Sequence, residues 1–239
     1  MNLISNQTAT VTRNSAERRG TEAFLATASF NPTSPALKVS FGQATFDAEG
    51  TEGPNRFFSR QIHWPGGAES GVTLGRGYDM GNRTGSQIRY ELTQAGVPEN
   101  EATFFARAAG LKGRSAREFI EDNREHAPLI TLTAQKRLFE QVLVPYYVAD
   151  IKRIFSRPDV IGKYGEASWE GLSNATKEVL FDLRYRGDYT PATRGVLQPL
   201  LVENDSKGVA DFIRERSYWA ERGVPRERIE RRIAIVYSE

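Results

Sequence analysis

The stretch that decides the fold runs from Phe46 to Arg83, FDAEGTEGPNRFFSRQIHWPGGAESGVTLGRGYDMGNR. Its glycines, Gly50, Gly53, Gly66, Gly67, Gly71, Gly75, Gly77 and Gly81, recur too often for a helix, and only short β-like pieces such as Phe57-Phe58 and Val72-Thr73-Leu74 stand between them. The segment therefore predicts loops and a compact hairpin at Ser70–Gly77, the kind of backbone on which scaffolds carry chemistry. Ahead of it, LKVSFGQATF (Leu37 to Phe46) alternates apolar and polar residues and predicts a strand leading to the first carboxylates.

Beyond Arg83 the pattern changes to helices punctuated by Gly and Pro. Thr84 or Ser86 can cap a helix carrying Ile88 and Leu92 and ending at Gly96; Pro98 opens a second, running to Gly110; Ser115 opens a short third. The longest candidate starts after Thr133 and reaches about Phe155, with a kink expected at Pro145. Ser173 caps another, and Lys207 to Ala220 and Pro225 to Val236 complete the set. The predicted class is α+β, with a small β/loop lobe (37–83), a mainly helical lobe (84–239) and a ligand cleft between them. Residues 1–36 are polar and aperiodic and predict a loosely ordered leader.

Bulk properties narrow the function classes. A length of 239 residues suffices for one well-packed domain, and no apolar run approaches the about 18 residues of a bilayer span, so membrane insertion is not expected. The absence of cysteine excludes disulfides, thiolate metal sites and a Cys nucleophile. A net charge of +2 does not suggest nucleic acid as a partner, and His63 and His126 lack metal-ligand spacing, so no metal is expected. The run from Phe212 to Glu239, with seven Arg against five Glu, reads as a solvated helical face. The polar first twenty residues do not read as a Sec signal. Trp169 and Trp219 read as packing residues.

Carboxylates carry the chemical signal: Asp47, Glu49 and Glu52 precede the long loop, and Asp79 follows the hairpin. Glycosidic cleavage needs one protonated carboxylic acid for the leaving oxygen and a second group to position water. A Glu beside the apolar Phe46 and Trp64 is expected to keep its proton by desolvation, and an Asp in a glycine-lined turn to stay ionised. Structural roles compete: Thr73 also suits a hairpin strand, and Asp79 also suits a cap on the Met80-Gly81 turn. Ser59, Arg60, His63, Trp64 and Tyr78 are candidate sugar-binding residues, since aromatic faces stack on pyranose rings and Arg pairs with carboxylates. LFDLRYRGDYT, containing Asp182, Arg184, Tyr185 and Arg186, ends a predicted helix.

SGVTLGRGYDMG (Ser70 to Gly81), with Glu49-Gly50 upstream, resembles the active-site signature of pesticin-type muramidases, relatives of the phage lysozymes. The resemblance covers Phe46 to Asn82 firmly and the helical remainder only in its general run. It implies a lysozyme-like fold and hydrolysis of the β-1,4 bond between N-acetylmuramic acid and N-acetylglucosamine without a cofactor. Carried over, Glu49 is the general acid, and Thr73 and Asp79 handle the attacking water, which suggests inversion. Glu52-Gly53 is a second EG pair and makes Glu52 the alternative acid; Glu49 is favoured because it directly follows the strand-like Ala44 to Ala48 and lies 24 residues before Thr73.

The resemblance further implies peptidoglycan strands as partner and an antibacterial effector or bacteriocin-like toxin, or else part of a phage lysis or entry apparatus; a monomer is expected. Such a protein is synthesised in the cytoplasm, reaches the periplasm of a target bacterium by specialised secretion, and is matched by an immunity protein. The competing readings are a non-catalytic cell-wall glycan-binding module and a lytic transglycosylase or chitinase-type enzyme.

Overall fold

The computed structural model describes residues 37–53 and 55–237; the expected leader 1–36 lies outside the described residues. Helices dominate, beside one two-stranded antiparallel sheet, so the coarse α+β class holds.

The strand expected at Leu37 to Phe46 is not there. Gly42 turns the chain at φ 75°, and α1 (Gln43–Ala48) follows. Gln43 replaces a strand's ladder by tying the preceding backbone to itself: its Oε1 accepts from Val39 N–H at 3.0 Å and its Nε2 donates to the Leu37 carbonyl at 3.1 Å. A side chain at Gly42 would bring Cβ within 2.7 Å of the Phe181 ring, so the turn is packed directly on a later helix. Alternation over so few residues was outweighed by this long-range packing.

The loop segment supplies β1 (Thr73–Leu74) and β2 (Tyr78–Asp79), paired Thr73 with Asp79 and Leu74 with Tyr78. Gly75 and Gly77, at φ 62° and 97°, make the connecting turn. Then come α2 (Gly85–Gln94), α3 (Glu99–Ala106) and α4 (Gly113–Asn123). Thr84 caps α2 by accepting from Gln87 N–H at 3.2 Å.

The long central helix begins at Thr131, which caps α5 (Leu132–Leu138), rather than after Thr133. Pro145 is accommodated by a π-helical turn, Phe139–Leu143, immediately before α6 (Val144–Phe155). A proline ring collides with the carbonyl four residues back and donates no bond to it, and a widened turn resolves both problems without ending the helix.

The remainder is α7 (Pro158–Tyr164), α8 (Asn174–Arg186, capped by Ser173), α9 (Pro191–Val202), α10 (Ser206–Ile213), α11 (Arg216–Ala220) and α12 (Arg226–Tyr237). The single helix expected over Lys207 to Ala220 is split, because Trp219 folds back, fully buried, and its Nε1 caps the Ile213 carbonyl at 3.0 Å.

Hydrophobic packing divides the chain differently from its composition. One core joins Phe46, Leu74 and Tyr78 of the loop segment to Ile88, Phe105, Leu138 and Phe139 of the following helices. A second holds Ile151, Val179, Leu197, Ile213, Trp219 and Ile229. Strands of two residues cannot bury a face alone, so the loop segment borrows α2 to α5. The central helix and α8 run through both cores, with Phe181 in the first and Leu180 and Leu183 in the second.

Candidate functional site

The functional candidates are held by a frame of buried arginines. Arg76, in the turn between β1 and β2, donates from Nη1 to the carbonyls of Phe46 (3.0 Å) and Gly50 (2.8 Å), the residues bracketing Glu49. Its Nη2 pairs with Glu52 at 2.8 Å and its guanidinium lies 4.4 Å from the Phe46 ring centre. Burial pulls the Arg76 pKa down against the opposing pull of Glu52. Glu49 is the C-cap of α1, its N–H donating to the Thr45 carbonyl at 3.0 Å. The next residue must be glycine, since a Cβ at Gly50 would sit 2.1 Å from Ser59 Oγ and 2.6 Å from Arg76 Cδ.

Three further cavity residues stand side by side. His63 and Thr73 exchange backbone bonds (His63 N–H to Thr73 carbonyl 2.9 Å, Thr73 N–H to His63 carbonyl 2.8 Å), and Thr73 is the register partner of Asp79. Residues directly opposite one another in antiparallel strands share a face with Cβ atoms roughly 5 Å apart. His63, Thr73 and Asp79 thus form a row, and all three line one cavity of ≈ 480 Å³ with Glu49, Phe57, Gly77, Tyr147 and Tyr185.

Asp79 is fixed by backbone: Oδ2 accepts from Gly71 N–H at 3.0 Å and Oδ1 from Gly81 N–H at 2.6 Å. The expected cap on the Met80-Gly81 turn and a place in the cavity are therefore compatible, because each carboxylate oxygen keeps a second lone pair. A Cβ at Gly71 would meet Asp79 Oδ1 at 2.2 Å and Gly81 N at 2.4 Å, so the glycines exist to let the backbone close around this carboxylate.

The helical wall carries Tyr147 of α6 and Tyr185 of α8, ring centres 4.4 Å apart. Tyr185 donates its hydroxyl hydrogen to the Arg76 carbonyl, and a Cβ at Gly77 would lie 2.5 Å from that hydroxyl. Burial, reinforced by Tyr146 and Glu49, pushes the Tyr147 phenol up to about 12, and burial pushes Tyr185 up as well, so both stay neutral donors.

From α12, Arg228 reaches the Glu49 carboxylate with Nη1 and Asp182 of α8 with Nε (3.1 Å) and Nη2 (2.7 Å). Asp182 also accepts from Arg232 Nε at 2.6 Å and from the Thr45 hydroxyl at 2.9 Å. Burial pushes Asp182 up, but the bonds and charges of Arg228 and Arg232 prevail and hold it below the ordinary value. Arg228 is raised: burial opposes its charge, and Asp182 and Glu49 more than compensate.

Several sequence expectations need correction. The apolar neighbours expected around Glu49 are absent: Phe46 is inside the core, Trp64 directs its indole N–H to the Ser70 carbonyl at 3.2 Å, and an arginine faces the carboxylate instead. Of the five sugar-binding candidates, only His63 lines the cavity. Ser59 is buried and accepts from Thr51 N–H at 2.8 Å; Arg60 pairs with Glu52 at 3.1 Å; Tyr78 is buried and bonds Glu91 at 2.6 Å. Glu52 is clamped by Arg76, Arg60 and Gln135 and does not line the cavity. Nor is the arginine-rich C-terminal run a purely solvated face, since Arg228 and Arg232 are buried. Their signal was present: they are four residues apart and adjoin Ile229 and Ile233 on the apolar stripe. Arg76 stood inside the SGVTLGRGYDMG stretch with no role assigned to it, and Tyr147 had no local motif to reveal it.

Among the described residues, no group of three or more His, Asp or Glu converges as a metal site would, and no helix is long and apolar enough to cross a membrane. What fold and cavity define is an α+β chain in which a glycine-rich hairpin and its bridge to His63 set an acid, a hydroxyl and an imidazole in a row, lining one cavity with a second acid. Residues 42–233 match the family described as a domain of unknown function (DUF8812), and the chain belongs to that family. No curated protein matches it.

Proposed function

We propose that this chain is a peptidoglycan hydrolase of the muramidase type with a lysozyme-like fold, cleaving the β-1,4 bond between N-acetylmuramic acid and N-acetylglucosamine with inversion. The observation that carries the reading is the cavity lined jointly by Glu49 and by the register partners Thr73 and Asp79. The sequence resemblance of Glu49-Gly50 and Val72–Gly77 to pesticin-type muramidases supports it independently.

In this reading Glu49 acts with its proton on Oε2, the oxygen that Arg228 does not bond, gives it to the glycosidic oxygen, and the carboxylate left behind is met by the Arg228 guanidinium already bonded to Oε1. Water attacks the anomeric carbon from the opposite side and passes a proton to Asp79, whose oxygens are held in place by Gly71 and Gly81 N–H. Tyr147 and Tyr185 line the cavity beside the sugar. The biological setting we propose is attack on the cell wall of a target bacterium after specialised secretion.

The test is turbidity clearing of purified sacculi by wild type, Glu49→Gln and Asp79→Asn, with products analysed by mass spectrometry and anomer by NMR. Clearing by wild type alone, with reducing muramic acid ends, supports the assignment. A 1,6-anhydro product makes the enzyme a lytic transglycosylase, and binding of sacculi without clearing makes it a glycan-binding module.

A further inference from the structure

His63 has a definite chemical state. Its Nδ1 lies 3.1 Å from the Gln61 carbonyl, which can only accept, so Nδ1 carries the hydrogen and Nε2 of the neutral ring is a bare acceptor. The ring is buried yet lines the cavity, edge-on to Phe57 with centres 6.3 Å apart, and its backbone is bonded on both sides to Thr73. Burial lowers its pKa, the Gln61 bond opposes this, and Arg124 lowers it further, so the acceptor state is the one the fold favours.

An attacking water has two hydrogens and two lone pairs to account for. One lone pair must face the anomeric carbon. Asp79 takes one hydrogen and becomes its base. Thr73 gives its one hydroxyl hydrogen to the Gly71 carbonyl at 3.3 Å, so it meets the water through its oxygen. The second hydrogen then has two acceptors on the row, the Thr73 hydroxyl oxygen and His63 Nε2, of which the imidazole nitrogen is the more basic and so the stronger acceptor. On the row His63, Thr73, Asp79, the side chain on the far side of Thr73 from Asp79 is His63.

We propose that His63 is the second acceptor of the attacking water: its Nε2 takes the hydrogen that Asp79 does not, fixing the water's orientation without removing a proton. The assignment rests on the glycosidase reading of the cavity and deepens it, giving His63 a role other than sugar stacking. The two roles differ at the atomic level. Stacking needs the ring and not its nitrogen, whereas water orientation needs an acceptor at the Nε2 position and not the ring.

The experiment uses the full chain as wild type, His63→Phe, His63→Asn and His63→Gln on soluble glycan strands prepared from peptidoglycan. Phe keeps a ring without an acceptor, Asn places its amide near the Nδ1 position, and Gln places an amide oxygen near Nε2. The expected result is a kcat fall of about 10–100-fold for Phe and Asn, with KM within about threefold of wild type, and recovery of most of the loss in Gln. Nitrogen-15 NMR of the wild-type ring, which requires no variant to fold, is expected to show the Nδ1–H tautomer. Wild-type kcat in His63→Phe overturns the assignment, as does a hydrogen on Nε2. Failure of the wild type to cleave any glycan, with the NMR result unchanged, overturns the glycosidase reading and this role with it.

Discussion

Arg228 closes on Glu49 across 179 positions of sequence and holds Asp182 with the rest of its guanidinium. One rigid fork therefore connects the acid at the end of α1 to a buried aspartate on α8. Lysine cannot reproduce this, being a point charge on a flexible stem. Arg228→Lys is expected to lower kcat by about 10–100-fold with little change in KM, because Glu49 loses its fixed orientation while the cavity walls remain. Steady-state kinetics beside a denaturation curve checks it; undiminished kcat would make the pair purely structural.

Asp182 is the anion on which the frame converges, 2% exposed and bonded by Arg228, Arg232 and Thr45. Asp182→Asn leaves two buried guanidinium groups short of a counter-charge and is expected to cost about 3–5 kcal/mol in urea unfolding. Because its folded pKa is depressed, the stability it contributes is complete above the unfolded value of 3.8 and is lost as pH falls through the lower folded value. The difference in stability between wild type and Asp182→Asn should therefore shrink in strong acid.

Much of the helical frame was legible from local signals. Thr84 and Ser173 cap the helices expected of them, and Gly96 follows the end of α2. The row His63, Thr73, Asp79 was half legible: the hairpin could be read from its glycines, but the pairing of His63 with Thr73 spans a loop whose register no short pattern records. The partners of Arg76 and Arg228 were hidden for a different reason. Their roles come from contacts 26 and 179 positions away, and an arginine in a turn or on a helix looks the same in sequence whether it faces water or a buried carboxylate. The misread strand at Leu37 to Phe46 shows the same limit, since Phe181 decides that turn.

Gly71→Ala tests the cradle of Asp79. The added Cβ would stand 2.2 Å from Asp79 Oδ1 and 2.6 Å from Gly81 Cα, so carboxylate and turn must both move. The expected outcome is a loss of about 1–3 kcal/mol on thermal unfolding and at least about tenfold in kcat. If activity persists while stability falls, the position of Asp79 is not critical to turnover.

His63 gives a pH dependence of known sign. Its folded pKa lies below 6.5 through burial and Arg124, against the Gln61 bond, with Asp79 and Glu49 sharing the cavity it faces. The unfolded chain thus binds the proton more readily, and stability present above pH 6.5 is lost as pH falls through 6.5 towards the folded value. Urea midpoints for wild type should drop across that window more steeply than those for His63→Gln; parallel curves would mean that His63 does not titrate differently on folding.

Glu52 and Glu49, three residues apart, should respond in opposite ways. Glu52 is 6% exposed at its side chain, and its Oε1 accepts from Arg76 at 2.8 Å and Gln135 at 2.7 Å while Oε2 accepts from Arg60 at 3.1 Å. Glu52→Gln removes the charge that balances two arginines and is expected to cost about 3 kcal/mol, yet to retain near-wild-type kcat in the folded fraction, since the side chain does not line the cavity. Glu49, 24% exposed at its side chain, faces the cavity, so Glu49→Gln should leave the unfolding midpoint within about 1 kcal/mol of wild type and abolish turnover. Sacculus clearing and urea unfolding on the two variants separate the roles. Loss of clearing in folded Glu52→Gln with retention in Glu49→Gln would transfer the acid to Glu52 and require Arg76 and Gln135 to release it.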